Sequence, residues 1–209
     1  MNLLVVSWVL HDGNTERGQG RMKDNLSRAQ THLLIIRLRR GEMNAFPELV
    51  GLWEKRLFYF IRRIVRCEED AWDVLQETWM KVHTNIGRLR DPAAFSSWIY
   101  SIARHTAVSH LLGEQRRELL REENPCREIP RGTERYGFSE DQAELIHWGL
   151  DQLPLPQREA LTLFFLEGFS VDEISNVTRV SVGTVKSRLH YGKRKLKEMI
   201  EKEGAGHDQ

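Results

Sequence analysis

The chain has 209 residues, room for one medium domain or two small ones. Hydrophobic residues make up 40% and charged residues 29%, a balance that suits a soluble, folded protein and excludes wholesale disorder. The formal net charge is only +1, so any attraction to nucleic acid has to be local rather than global.

The N-terminal stretch MNLLVVSWVL lacks a positively charged start. His11 and Asp12 follow it without a small-residue cleavage site, so a signal peptide is not expected. Residues 1–24 read as a disordered leader. The segment ERGQGR before Met22 can be encoded by purine-rich codons, as a ribosome-binding site would be, which makes Met22 an alternative start. No apolar run approaches the length of a bilayer, so no membrane insertion is expected.

Strand signals are nearly absent, and helical periodicity recurs along the chain. In FPELVGLWEKRLFYFIRRIV, residues Phe46, Leu49, Val50, Trp53, Leu57, Phe60, Ile61 and Ile64 recur at steps of three and four. EEDAWDVLQETWMKVHTNI follows, with Ala71, Val74, Leu75, Thr78, Trp79 and Val82 on one side. Its acids lie in the first turn, and Lys81 and His83 lie later, as the helix dipole favours. Asp91-Pro92 opens a third helix over AAFSSWIYSIARHTAVSHLL. Its core stripe is read as Phe95, Ile99, Ile102 and Thr106. Trp98 is read as a core residue rather than a stacking platform.

Residues 113–138 change texture. They are rich in Glu and Arg, contain Pro125, Pro130, Gly132 and Gly137, and show little apolar rhythm, as an exposed linker does. SEDQ at Ser139 is a capping-box pattern that opens a helix to about Leu150. Pro154 and Pro156 start another, which Gly168 can end. The expected fold is all-α: two small helical domains, roughly 25–112 and 139–203, joined by a flexible linker and followed by a tail at 204–209. Cys67 and Cys126 stand far apart without metal-ligand spacing, consistent with free thiols in a reducing cytoplasm.

The sharpest motif is C-terminal. SVDEISNVT and SVGTVKSRLHYGKRKLKEM are helices separated only by Arg179-Val180, the pattern of a helix-turn-helix. The second helix is rich in Lys and Arg and has no acid before Glu198. Val185, Leu189, Gly192, Leu196 and Met199 form a packing seam, faced by Ile174 and Val177, and Gly192 permits close approach. The opposite face carries Thr184, Lys186, Ser187, Arg188, His190, Tyr191 and Arg194. Hydroxyl, imidazole and phenol groups can bond base edges, while Lys and Arg hold phosphates or guanine. A solvated face would mix charges of both signs, and this one does not.

These segments resemble a family. LDQLPLPQREALTLFFLEGFSVDEISNVTRVSVGTVKSRLHYGKRKLKE is similar to region 4 of bacterial sigma factors of the extracytoplasmic-function (ECF) class. DAWDVLQETWMKVHTNIGRLRDPAAFSSWIYSIARHTAVSHLL is similar to their region 2. The resemblance spans about residues 33–200. It implies a sigma factor that binds core RNA polymerase and directs promoter-specific initiation, reading the minus-35 duplex and opening the minus-10 element, with no enzymatic activity of its own. It implies that Asp70, Asp73, Gln76 and Glu77 dock on the beta-prime clamp helices. As bare residues these are the polar side of an amphipathic helix. It places Arg88, Arg90, Asp91 and Phe95 in a loop that holds an unpaired minus-10 base. Ser97, Tyr100, Ser101, Arg104, His105 and Val108 would lie along the melted strand.

In region 4, Lys186, Ser187, His190 and Tyr191 would read the minus-35 element, and Thr184, Arg188, Lys193 and Arg194 would hold its phosphates. Further partners implied are the beta flap and an anti-sigma factor. Three residues depart from the family pattern: His105 for Asn, Thr178 for Leu and Arg179 for Gly. Arg179 implies either another turn geometry or a less stable domain. No Ser/His/Asp, Walker or metal-ligand constellation is present, so no catalytic residue, metal or cofactor is expected. The alternative reading is a stand-alone helix-turn-helix regulator that binds operator DNA.

Overall fold

The computed structural model describes residues 20–118 and 140–206. Among them are eight α-helices and no strand. They group into two units, essentially residues 21–118 and 140–206.

In the first unit α1 spans Gly20–Arg39, α2 Ala45–Val65, α3 Glu68–Asn85 and α4 Phe95–Glu118. α2 buries Leu49, Trp53, Leu57, Phe60, Ile61 and Ile64, the apolar stripe its spacing predicts; Phe46 and Val50 lie at its half-buried margin. α3 buries Ala71, Val74, Leu75, Thr78, Trp79 and Val82, all as expected. Helices α2, α3 and α4 pack on one another. α1 is pinned to this core by Trp53, whose Nε1–H donates to Thr31 Oγ1 at 3.0 Å in a buried bond.

α4 departs from the expected stripe. Phe95, Ile99 and Thr106 are buried, but Ile102 is only half-buried, and Tyr100, Ala103 and Ala107 join the core. The buried face of α4 is turned toward residue 100, where the Tyr100 ring packs edge-on against Phe60 and Trp53 of α2. Trp98 is half-buried, at the margin of this face.

Helix bounds differ from the sequence reading at three places. α1 is already helical at Gly20, within the segment read as leader. α4 continues to Glu118, inside the expected linker, because GEQRRE contains no proline and mostly good helix formers. The final helix reaches Gly206, into the expected tail. The rest of the leader and linker, Cys126 and the Ser139 cap lie outside the described residues.

The second unit comprises α5 (Glu140–Gln152), α6 (Leu155–Leu161), α7 (Val171–Thr178) and α8 (Val182–Gly206). α6 runs into a π-helical turn over Thr162–Leu166, closed by Glu167 N–H to Thr162 C=O at 3.2 Å. Gly168, with φ of 72°, follows it. Arg158 is 2% exposed. Its guanidinium donates to the carbonyls of Leu150, Asp151 and Leu153 at 3.0, 3.1 and 2.8 Å. These carbonyls lie at the C-terminal end of α5, where the helix runs out of N–H groups of its own (only Leu153 N–H returns, to Leu150 C=O at 3.1 Å), so Arg158 joins α6 to α5.

Candidate nucleic-acid and polymerase interface

The helix-turn-helix is built from α7 and α8. Ser170 and Glu173 form a reciprocal capping box at the start of α7. Arg179 ends α7 at φ 55°, ψ 43°, the left-handed conformation that usually falls to glycine. The tight-turn geometry is therefore kept in spite of the arginine. Ser175 Oγ donates to Val180 C=O at 2.6 Å, and Ser181 Oγ accepts from Thr184 N–H at 3.2 Å, capping α8. Val185, Leu189, Gly192 and Leu196 are buried, while Met199 is half-buried. A Cβ on Gly192 would lie 3.1 Å from Leu161 Cδ1 and 3.3 Å from Gln157 Cβ. The bare backbone there lets α8 close on α6.

With that seam buried, Lys186, Ser187, His190, Tyr191 and Arg194 are exposed, and Thr184, Arg188 and Lys193 are half-buried. Tyr191 is 51% exposed. Its ring meets His190 edge-on at 5.4 Å, and the Arg194 guanidinium lies 5.4 Å from its centroid. These contacts orient a phenol and an imidazole outward while a cation stands beside them. Arg194 also lies 3.7 Å from Glu198. The Ser187 hydroxyl donates to Thr184 C=O at 2.9 Å, which leaves its oxygen to accept from a base edge.

In the first unit, two 3-10 turns, Ile86–Arg88 and Pro92–Ala94, bracket the loop before α4. Arg88, Arg90 and Asp91 are exposed, and Leu89 is buried beneath them. Asp91 Oδ1 accepts from Ala93 N–H at 2.9 Å, so it caps the second turn. Arg88 Nη1 donates to Asn85 Oδ1 at 3.3 Å. Along α4, Ser97, Ser101, Arg104 and Val108 are half-buried and His105 is exposed, all on one face. The Ser97 and Ser101 hydroxyls donate to the carbonyls of Ala94 and Ser97.

Two residues expected on the DNA side are core residues instead. Phe95 is 1% exposed and Tyr100 fully buried. The Phe95 ring lies edge-on to Trp53 at 5.4 Å, and Tyr100 lies edge-on to Phe60 at 5.0 Å and to Trp53 at 6.2 Å. These ring contacts draw Tyr100 in, and Phe95 was already part of the apolar stripe.

On α3, Asp73, Gln76 and Glu77 are exposed together. Asp70 is turned aside: its Oδ1 lies 3.2 Å from Nε2 of the half-buried His110 on α4. Two residues of this face escape a reading by polarity. Trp72 and Met80 are 48% and 64% exposed. Trp72 lies against Phe58, ring centroids 4.2 Å apart. The signal that finds them is the step of four through Trp72, Gln76 and Met80, which puts large apolar groups on the solvent side of an amphipathic helix. Among the described residues no group of His, Cys, Asp and Glu could hold a metal ion.

Comparison with known proteins connects these surfaces. Residues 49–117 match the family model for sigma-70 region 2, and residues 144–196 match that for sigma-70 region 4. The chain is 33% identical over 175 residues to the RNA polymerase sigma-H factor of Pseudomonas aeruginosa, covering 78% of this chain and 90% of that protein. It is 30% identical over 168 residues to the ECF RNA polymerase sigma-E factor of Escherichia coli K12, covering 75% and 87%. Among solved structures the fold resembles the sigma factor RpoE in complex with the anti-sigma factor NepR from Bartonella quintana, with a TM-score of 0.67, 22% identity, and coverage of 75% and 96%. It also resembles CnrH in complex with the cytosolic domain of CnrY, with a TM-score of 0.59, 22% identity, and coverage of 82% and 97%. The chain belongs to the sigma-70 family, in its ECF class, and is a regulatory subunit that directs RNA polymerase to promoters rather than an enzyme.

Proposed function

We propose that the two units divide promoter recognition, with residues 25–112 binding core polymerase and the minus-10 element, and residues 139–203 the minus-35 element. The observation that carries this is the outward face of α8, where Lys186, Ser187, His190 and Tyr191 stand exposed opposite a buried seam. These residues read base edges in the major groove. Thr184, Arg188, Lys193 and Arg194 hold phosphates.

At minus-10, Arg88, Arg90 and Asp91 hold a base extruded from the duplex. Ser97, Ser101, Arg104, His105 and Val108 line the separated strand. Base capture costs a few kcal/mol of unstacking, less where A·T pairs melt easily. Phe95 and Tyr100 support this surface from beneath. No side chain acts as a catalyst: binding energy is spent on DNA distortion.

Asp73, Gln76 and Glu77, with Trp72 and Met80, dock on the beta-prime clamp helices. An apolar pair flanked by acids and an amide suits a protein partner better than DNA. The half-buried Phe164, Phe165 and Leu166 of the π-helical turn offer an apolar surface to the beta flap. The chain acts in the cytoplasm with polymerase, and an anti-sigma factor binds it, as NepR binds the sigma factor RpoE of Bartonella quintana. Transcription by purified core polymerase with and without the chain, mapped by transcript sequencing on genomic DNA, tests the reading. Tight, specific promoter binding by the chain alone, with no transcription after core is added, would defeat it.

A further inference from the structure

The turn between α1 and α2 is built to be rigid. Gly41, at φ 87°, donates its N–H to Leu38 C=O at 3.0 Å, and Glu42 N–H reaches Arg37 C=O at 3.1 Å. This is the paired closure of a Schellman motif, which needs glycine at the left-handed position. Arg37 ties the same turn together. Its Nε bonds Glu42 at 2.9 Å, and its Nη1 bonds both carboxylate oxygens of Glu48 at 3.0 and 2.9 Å. The Glu48 bond first, then Glu42, pushes the Arg37 pKa up.

Arg39 projects from this fixed turn. Its Nη2 donates to the carbonyl oxygen of Arg90 at 2.9 Å, across 51 positions of sequence. The receiving peptide lies in the loop before α4, between buried Leu89 and the Asp91 cap. The loop is thus held at three points: an apolar anchor, a cap, and a guanidinium from another helix. A loop that captures a base has to hold its groups within about 0.5 Å of the productive geometry. An exposed bond of this kind adds little to global stability, so its use is to set the path of the loop.

We propose that Arg39 is a positioning residue for the minus-10 loop, fixing residues 88–91 through the Arg90 carbonyl so that they accept the extruded base. This rests on the reading that the loop is the minus-10 reader. The test uses the full chain with core polymerase on a promoter taken from the mapped start sites. Open-complex formation is compared between the native minus-10 element and one substituted at its most sensitive base, at several salt concentrations. Arg39→Ala lowers that discrimination three- to tenfold, leaving the salt slope, minus-35 discrimination and thermal unfolding unchanged. Arg39→Lys restores it in part by returning a donor to the carbonyl.

A uniform loss on both promoters with a shallower salt slope would make Arg39 a phosphate contact and overturn the proposal. Unchanged discrimination would overturn it too. Asp91→Ala separates the two ideas. If it lowers discrimination while Arg39→Ala does not, only the role of Arg39 fails. If neither does, the loop is not the reader.

Discussion

Arg158→Ala should remove a third or more of the second unit's stability margin. The guanidinium is 2% exposed and makes three bonds to carbonyls at the end of α5. Hydrogen bonds to charged groups contribute about 1.5–3 kcal/mol each. Three such bonds represent about 5–9 kcal/mol in gross terms. Against this stands the desolvation of a buried cation, several kcal/mol, which the variant no longer bears. The net expectation is a loss of about 3 kcal/mol.

A unit of this size, at about 0.05–0.15 kcal/mol per residue, is stable by about 3–10 kcal/mol in all. The loss therefore removes a third of the margin or more. For a domain this small, 1 kcal/mol moves the midpoint by about 4–8 °C, so the second-unit transition should fall by about 12 °C or more. Calorimetry on the full chain resolves this if the two units melt separately, and minus-35-dependent transcription should fall at the temperature where that transition moves. Arg158→Met, which keeps the volume and removes the charge, should cost less than alanine but still take a donor from each of the three carbonyls. A midpoint within about 2 °C of wild type for Arg158→Ala would refute the reasoning, because it would mean that the α5 carbonyls are satisfied without the arginine.

Four further outcomes follow from the placement of side chains. Tyr191→Ala should relax minus-35 specificity, whereas Lys193→Ala should weaken binding about equally across sequences and flatten its salt dependence by about one unit of log-log slope, read from a promoter-variant panel. Asp73→Arg and Met80→Glu should each lower affinity for core polymerase, measured by competition for core, with unchanged unfolding midpoints; normal holoenzyme assembly would take that residue out of the interface. Tyr100→Phe should leave promoter opening intact, while Tyr100→Ala should cost about 3–5 kcal/mol of first-unit stability in denaturant melts, as large-to-small changes of buried aromatic residues do. Arg179→Gly should raise the second-unit midpoint, because the left-handed conformation costs a non-glycine residue about 1–2 kcal/mol; the greater unfolded-state freedom of glycine offsets part of that, leaving a gain of about 0.5–1 kcal/mol.

Much of the molecule was legible from periodicity. α2 and α3 each meet the core along one stripe, and there the spacing of apolar residues names the buried ones. α8 was legible for the same reason: its seam and its basic face are separated by half a turn of helix. Family resemblance is what proposes surfaces for DNA and polymerase, which charge and amphipathicity alone leave indistinguishable from an ordinary wet face. Trp72 and Met80 lie off the apolar stripe of α3 and are exposed, so a reading that looks for polar contact residues passes over them.

By itself, then, the amino-acid order determined the helices from α2 onward, their principal faces, the capping at Ser170 and the outward chemistry of α8. Each of these depends on interactions within about four residues or on a single repeating period. Tertiary structure decided the rest. Tyr100 entered the core because its ring found Phe60 and Trp53 of α2 to pack against. Arg158 became a buried capping group because α6 folds back on the end of α5. Arg39 reached the Arg90 carbonyl because the α1–α2 turn and the loop before α4 were brought together. None of these contacts leaves a local signature, since the partners are far apart along the chain or are backbone groups that every residue carries.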